Sequence, residues 1–338
     1  MLIVVGPVDA EEHVLEGHPE RPVRVGAVMH GVEDLHLESD LVVAPSRPVG
    51  LASLSRVHSP AYLESLRQYC AGGGGALDAD TYATRHSWEA ACQAAGAGLV
   101  AVEALRRRPG NVALVAARPP GHHASNDRSM GFCLINNVAV TAAALVDAGE
   151  RVAIIDWDVH HGNGTQAIFW DEPGVLYVSV HQWPCYPGTG RAGEVGGPLA
   201  HGTTLNVPLP PGTTGDVVRR AFDEMISPAV EQFRPTWVLV SAGFDAHRSD
   251  PLAEFALSSG DFGGLARVVA GYAPAPGRLI LFLEGGYDLT ALRSSVSATL
   301  GTLVGAGLPT EPATGGGSGA GALSRAMAER REALESPL

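Results

Sequence analysis

Cysteine is scarce: Cys70, Cys92, Cys133 and Cys185 are scattered through 338 residues without a CxxC pair. A disulfide-dense scaffold is excluded, and the pattern fits a reduced cytoplasmic protein. Positive charge is also sparse. With 23 basic residues against 36 acidic ones the formal net charge is −13, which argues against a surface that tracks nucleic-acid phosphates and favours cationic substrates or partners. No apolar run is long enough to cross a bilayer. The opening stretch "MLIVVGPVDAEE" has no basic residues ahead of its apolar ones and no long apolar core, so it reads as a first strand and not as a signal peptide. The expectation is a cytosolic protein with neither nucleic-acid nor membrane partners.

Hydrophobic residues, by contrast, make up 45% of the chain, enough for one large core. Five short apolar, β-branched runs recur: "NVALVAA" (111–117), "RVAIIDW" (151–157), "GVLYVSV" (174–180), "TWVLVSA" (236–242) and "RLILFLE" (278–284). Runs that are continuous, not alternating, belong to strands covered on both faces. Helical patterning fills the intervals, as in "SWEAACQAAGAGLVAVEALRRR" and "DLTALRSSVSATLGTL". The alternation predicts a single three-layer α/β domain, a mostly parallel sheet with helices on both faces, over residues 1–310. "AGGGGALDAD" (71–80) is expected to be a surface loop. The Gly-rich stretch 311–322 is expected to link the domain to a C-terminal helix, 323–338, which docks on the body or on a second subunit and so leaves a homo-oligomer open.

The residues after each run carry the chemistry. Arg118-Pro119-Pro120-Gly121-His122-His123 follows the first and "DVHHGNG" the second; the third leads into His181 and "YPGTG", the fourth into "GFDAHRSDP", the fifth into Gly285-Gly286-Tyr287. In a parallel sheet the C-terminal strand ends share one edge, where ligands bind. Within "DWDVH", Asp156, Asp158 and His160 occupy every second position, so an extended backbone sends them to one side. Asp158 and His160, joined by Asp245, make a set of one nitrogen and two carboxylate ligands with a position left open, the pattern of a catalytic Zn²⁺ or Fe²⁺. Adjacent histidines such as His122 and His123 serve as metal ligands, as a hydrogen-bonded structural pair or as acid/base groups; the last suits an imidazole pKa near neutrality. The hydroxyl of Tyr287 is placed to donate to a developing oxyanion.

These motifs, "RPPGHHA", "GFCLINN", "IIDWDVHHGNGTQ", "SVHQWPCYPGTG", "SAGFDAHRSDPL" and "LEGGYDL" in that order, resemble the histone deacetylase superfamily, in particular its class II branch, the bacterial deacetylase-like amidohydrolases and the acetylpolyamine amidohydrolases. The resemblance runs from about residue 13, at "HVLEGHPERP", to about residue 304. It implies an arginase-like α/β fold; Zn²⁺, with Fe²⁺ or Co²⁺ as alternatives, on Asp158, His160 and Asp245; His123 as the base that activates water and the acid that assists amine departure; and Tyr287 as oxyanion donor. It implies that His122 is an electrostatic partner oriented by Asp156. A structural K⁺ would use the side chains of Asp156, Asp158 and Ser179 and the backbone of His160 and Val180. Phe132 and Tyr186 match the aromatic walls of an acyl-lysine channel, with Gly131 and Gly286 beside the substrate. Asp80 falls near the position that holds the substrate backbone amide. Leu252, after "DP", stands where a Glu goes with polyamine selectivity and favours an apolar stem.

Asn163 stands where class I enzymes have Asp, and a neutral residue there supports positive charge on His123 less well. Ureohydrolases, a contrast with a similar Asp-x-His strand end, need a further Asp where this chain has Gly162, which argues against a dinuclear Mn²⁺ site. The expected activity is therefore release of an acetyl or other acyl group from an acylated cationic amine, acetyl-lysine or an acetylpolyamine. The alternatives are a catalytically weak acyl-lysine binder and a deacetylase of a dedicated small-molecule pathway.

Overall fold

The computed structural model describes residues 1–8, 10–108 and 112–336. Asn111, which opens one expected run, and residues 337–338, which close the expected C-terminal helix, lie outside these. The described residues contain strands β1 (Leu2–Val8), β2 (Leu41–Ala44), β3 (Gly74–Ala76), β4 (Tyr82–Thr84), β5 (Val112–Ala117), β6 (Val152–Asp156), β7 (Val175–Gln182), β8 (Thr204–Leu209), β9 (Trp237–Ala242) and β10 (Leu279–Leu283). Eight form one sheet in the order β2-β1-β5-β10-β9-β6-β7-β8, and every pairing in it is parallel.

Successive residues of each strand enter two separate cores. Val4, Leu114, Ile155, Val178, Val240 and Leu281 pack on one face with apolar residues of the helices Val23–Glu33, Ser259–Ala270 and Leu289–Val304. Ile3, Val115, Ile154, Tyr177, Leu239 and Ile280 pack on the other with the helices Pro60–Ala71, Ser87–Arg107 and Asn137–Asp147. Burial of both faces is why these strands read as unbroken apolar runs. β2 and β8 escaped that signal: β2 is only half-buried, and β8 carries Asn206 and Pro208 among its apolar residues.

The glycine-rich stretch at 71–80 is not wholly a loop. Gly74–Ala76 pairs antiparallel with Tyr82–Thr84, and Gly74 and Gly75 have φ of 77° and 138°, the left-handed region that glycine enters without a Cβ penalty. The stretch expected as a linker lies along the body. Glu311 bonds His247 Nε2 at 2.9 Å, Thr314 N donates to Asp261 at 3.0 Å, and Ser318 bridges to Thr213. The terminal helix, Ala320–Glu335, buries Leu323 and Ala326 and sends the Arg330 guanidinium to the carbonyls of Gly202 and Thr204. It thus covers the outer edge of the sheet at β8, a device that hides unpaired strand groups. No helix among the described residues is long and apolar enough to cross a membrane.

Candidate metal centre and active site

Five neighbouring strands, β5, β10, β9, β6 and β7, deliver the predicted residues to one edge of the sheet. β6 ends at Asp156, so the backbone beyond it is no longer extended. The three alternating residues therefore divide: Asp156 turns to His122, while Asp158 and His160 meet Asp245 from the end of β9. The ligand atoms of Asp158, His160 and Asp245 lie within 4.8 Å of one another. His160 Nδ1 sits 3.1 Å from Asp158 Oδ1 and 3.2 Å from Asp245 Oδ2.

The second oxygens of both carboxylates are fixed by backbone amides. Asp158 Oδ2 accepts from Gly285 N at 2.8 Å, and Asp245 Oδ1 from Val159 N at 3.0 Å. A Cβ on Gly285 would come within 1.9 Å of Asp245 Oδ2, so only glycine lets the β10 end approach this closely. Asp158 and Asp245 are fully buried. Burial opposes protonation of His160, yet the two carboxylates outweigh it and lift its pKa well above the usual imidazole value. The cluster draws a positive charge into its centre. A buried cradle of one imidazole and two carboxylates, held from behind by backbone amides, fits a divalent ion.

The two loop histidines differ in what they face. His122 Nδ1 donates to Asp156 Oδ2 at 3.0 Å. Burial would depress its pKa, but Asp158 and Asp156 raise it to about 10, so His122 is an imidazolium at neutral pH. Asp156 is itself raised to about 6 by burial, with His122 pulling against it, and the pair remains ionised at pH 7. His123 Nδ1 lies 2.8 Å from Asn163 Oδ1. Asn163 spends its amide protons on the His123 carbonyl and Met130 Sδ. The amide oxygen therefore faces the ring, Nδ1 carries the hydrogen, and Nε2 is left basic. Burial, then the charges of His122 and His160, hold His123 well below the ordinary value.

Tyr287 is 9% exposed. Its backbone N donates to Asp250 Oδ2 at 2.7 Å, the Arg24 guanidinium lies 4.8 Å from its ring centroid, and the next residue, Asp288, caps the helix Leu289–Val304 through Ala291 N. Arg24 Nε also donates to the Gly286 carbonyl at 2.7 Å; Gly286 has φ 116°. Phe132 meets Tyr287 edge-on at 5.8 Å and His18 at 4.6 Å. Tyr186 meets His123 edge-on at 5.2 Å and His160 at 6.4 Å. The two aromatics thus stand on either side of the polar cluster. A Cβ on Gly131 would strike His123 Cδ2 at 2.3 Å, so this glycine lets the Phe132 loop lie on the imidazole. Leu252 is 37% exposed, its N bonded to Asp250 Oδ1. Asp80 accepts from Thr81 Oγ1, which in turn accepts from Phe132 N, linking it to the aromatic wall. Ser179 lies opposite Asp156 in the β6–β7 register and contacts His181 Nδ1 at 2.9 Å; Val180 follows it, buried.

A protein-family model described as the histone deacetylase domain matches residues 18–303. The chain belongs to the histone deacetylase family. Among its family relatives, the histone deacetylase-like amidohydrolase of Pseudomonas aeruginosa is 39% identical over 277 residues, covering 80% of this chain and 73% of the relative. Histone deacetylase 10, chloroplastic, of rice is 40% identical over 316 residues, 87% and 71% of the two chains. An uncharacterised protein of Synechocystis is 44% identical over 296 residues, 85% and 94%. The crystal structure of the HDA15 HD domain superposes with a TM-score of 0.88 at 31% identity, covering 98% of this chain and 97% of that one. The fold is accordingly that of the histone deacetylases.

The ureohydrolase contrast acquires a physical reason in this family setting. A Cβ at Gly162 would lie 2.2 Å from Asp156 Oδ2, so a second carboxylate has no room there. Sequence reasoning passed over a buried supporting layer. Glu20 pairs with Arg118 at 2.7 Å and Arg24 at 3.0 Å, Asp250 anchors Tyr287, and Glu284 holds the amides of Gly121 and His122. Glu20 and Arg24, four residues apart in "HPERPVR", were near enough in the chain to be read as a pair; Asp250 and Glu284 had no local signal.

Proposed function

We propose that the chain is a zinc-dependent amidohydrolase that removes an acetyl group from an acylated cationic amine. The observation that carries this reading is the buried Asp158–His160–Asp245 cradle, with His122 Nε2 3.9 Å from Asp158, the His123 ring facing His160 and the buried Tyr287 near enough to feel the charges of Asp245 and Asp158. Zn²⁺ held by that cradle would supply a Lewis acid and lower the pKa of water at its open position. His123 Nε2 takes the proton of the attacking water and later returns it to the departing amine nitrogen; the second water proton follows from the new carboxyl group, so water and amide become carboxylate and ammonium. Tyr287 donates its hydroxyl hydrogen to the carbonyl oxygen as charge builds there. Its pKa is lifted well above the usual phenol value by burial, against the pull of Arg24, so the hydroxyl keeps its hydrogen. His122 stays charged and steadies the developing negative charge. Phe132 and Tyr186 enclose the acyl stem, with Gly131 and Gly286 giving the backbone close approach; Leu252 and Asp80 meet the substrate at the rim. Asp156, Asp158, Ser179 and the carbonyls of His160 and Val180 form the proposed K⁺ site. Location in the cytosol belongs to the same proposal.

Tyr287→Phe is expected to lower kcat by roughly two to three orders of magnitude with little change in KM, the cost of removing one oxyanion donor. A fall under tenfold removes Tyr287 from that role. Asn163→Asp places a carboxylate on His123 Nδ1 and stabilises the imidazolium. The free base then appears at higher pH, and the acidic limb of the kcat/KM profile should move up by about one unit. An unchanged profile refutes the assignment of that limb to His123.

The deciding experiment compares kcat/KM on zinc-loaded protein for N-acetylputrescine, N8-acetylspermidine and an acetyl-lysine peptide. The exposed apolar Leu252 favours the peptide. A polyamine preference above about a hundredfold, ~2.7 kcal/mol of transition-state discrimination, would make it a small-molecule amidohydrolase. Failure on all three with metal bound would overturn both named substrate classes in favour of a catalytically weak acyl-lysine binder or a deacetylase of a dedicated small-molecule pathway.

A further inference from the structure

Glu284 is fully buried at the end of β10, and its carboxylate joins three adjacent strand ends. Oε2 accepts from Gly121 N at 2.7 Å and from His122 N at 3.1 Å, both just beyond β5. Oε1 accepts from Ser241 Oγ of β9 at 3.1 Å. Among the described residues no Arg or Lys lies within ion-pair distance of this carboxylate; Arg24 donates instead to the Glu284 carbonyl. Burial raises the side chain's pKa to about 7, with the His122 charge pulling against it; burying an ionisable group with no Arg or Lys paired to it is costly, so the site carries that cost for something other than packing.

The geometry says for what. Pro119 and Pro120 have no N–H, so Gly121 and His122 bear the first free amides after Arg118. Both converge on one oxygen. The loop has little freedom elsewhere: a Cβ on Gly121 would meet Asn137 N at 2.4 Å, and the His122 carbonyl accepts from Thr165 N at 3.1 Å. The Glu284 clamp therefore sets the height and tilt at which the backbone presents both imidazoles. We propose that Glu284 is a positioning residue for the His122–His123 pair, acting through the two amides and not on the substrate. The inference rests on the deacetylase reading for its kinetic consequence, but the clamp itself does not.

Glu284→Ala should lower kcat about a hundredfold, the scale of an ångström-sized misplacement of a reacting group, while KM and bound zinc stay as in the parent protein. In ¹H–¹⁵N spectra of the full chain, the Gly121 and His122 amide protons should move upfield in the same variant. Glu284→Gln keeps one oxygen for both amides and can donate to Ser241 Oγ, so it should restore the two resonances and most of kcat. Should Glu284→Ala not fold, Glu284→Asp, one methylene shorter, should show the same kcat loss at constant KM. Parental kcat in Glu284→Ala or Glu284→Asp overturns the proposal; so does loss of zinc or KM together with kcat that Gln fails to restore. If the parent protein hydrolyses no acyl amine, the deacetylase reading falls, and the amide shifts of the Ala and Gln variants still decide the clamp.

Discussion

Asp245→Ala protein is expected to bind no stoichiometric zinc and to retain less than about a thousandth of the parental turnover, the scale of a lost catalytic metal. Asp245 supplies one of three ligands, and its loss leaves Asp158 and His160, too few to hold a tetrahedral ion. The variant should still fold. Burial, then the charge of Asp158, raises the pKa of Asp245, so the two neighbouring buried carboxylates repel and removing one relieves that repulsion. The losses are the acceptor for Val159 N and one of the two carboxylate partners of His160 Nδ1, each worth about 1–3 kcal/mol, with Asp158 left to hold His160. Metal linkage separates the two effects. Zinc at a hundred times its Kd should stabilise the parent by about 2.7 kcal/mol and raise its Tm, whereas the variant's Tm should not respond. Zinc uptake by the parent should also release a proton, because the ion displaces the hydrogen that His160 Nδ1 shares with both carboxylates. Metal analysis, differential scanning calorimetry and a pH-indicator titration measure these. Full zinc stoichiometry in Asp245→Ala would refute the ligand set.

The contrast between what the sequence disclosed and what it hid follows from distance along the chain. The five apolar runs and the polar residues after them were legible because a doubly covered parallel strand needs an unbroken apolar run, and because such sheets collect their C-terminal ends on one edge. The half-buried β2 and the polar-interrupted β8 lack that pattern. In "IIDWDVHHGNGTQ" the period-two argument gathered Asp156, Asp158 and His160 at one sheet edge for a reason that holds only as far as Asp156, where β6 stops. Beyond it, Asp158 and His160 meet Asp245 through the turn and the amides of Val159 and Gly285. The supporting layer was invisible for a related reason. Arg24 reaches Gly286 across 262 positions and Glu284 reaches Gly121 across 163. A buried charge joined to a backbone amide that far away leaves no periodicity to read. Glu20 and Arg24, four residues apart where the chain enters the helix Val23–Glu33, were the exception.

His123→Ala tests the division of labour between the two histidines and should give the complementary result: a zinc content equal to the parent's and turnover reduced by three to four orders of magnitude, a general base's contribution at the upper end. Neither ring nitrogen of His123 belongs to the three-residue cradle, and its Nδ1 is committed to Asn163, so the metal has no reason to leave. His122 cannot take over. With a pKa of about 10 it holds its proton throughout the neutral range, and its Nδ1 is bound to Asp156, so it has no free basic nitrogen to offer. Removing the His123 ring also removes a face against which Tyr186 packs, and KM should rise a few-fold as that wall loosens. An added small base such as imidazole should recover part of kcat if the lost function is proton transfer, with a rate that follows its free-base fraction as pH rises. The parent should lose kcat/KM toward acid as His123 is protonated, and the rescued variant should instead track the pKa of the added base. Loss of zinc in His123→Ala would make this residue a ligand and not a base. Retained turnover would move the proton-transfer role to a group other than His123.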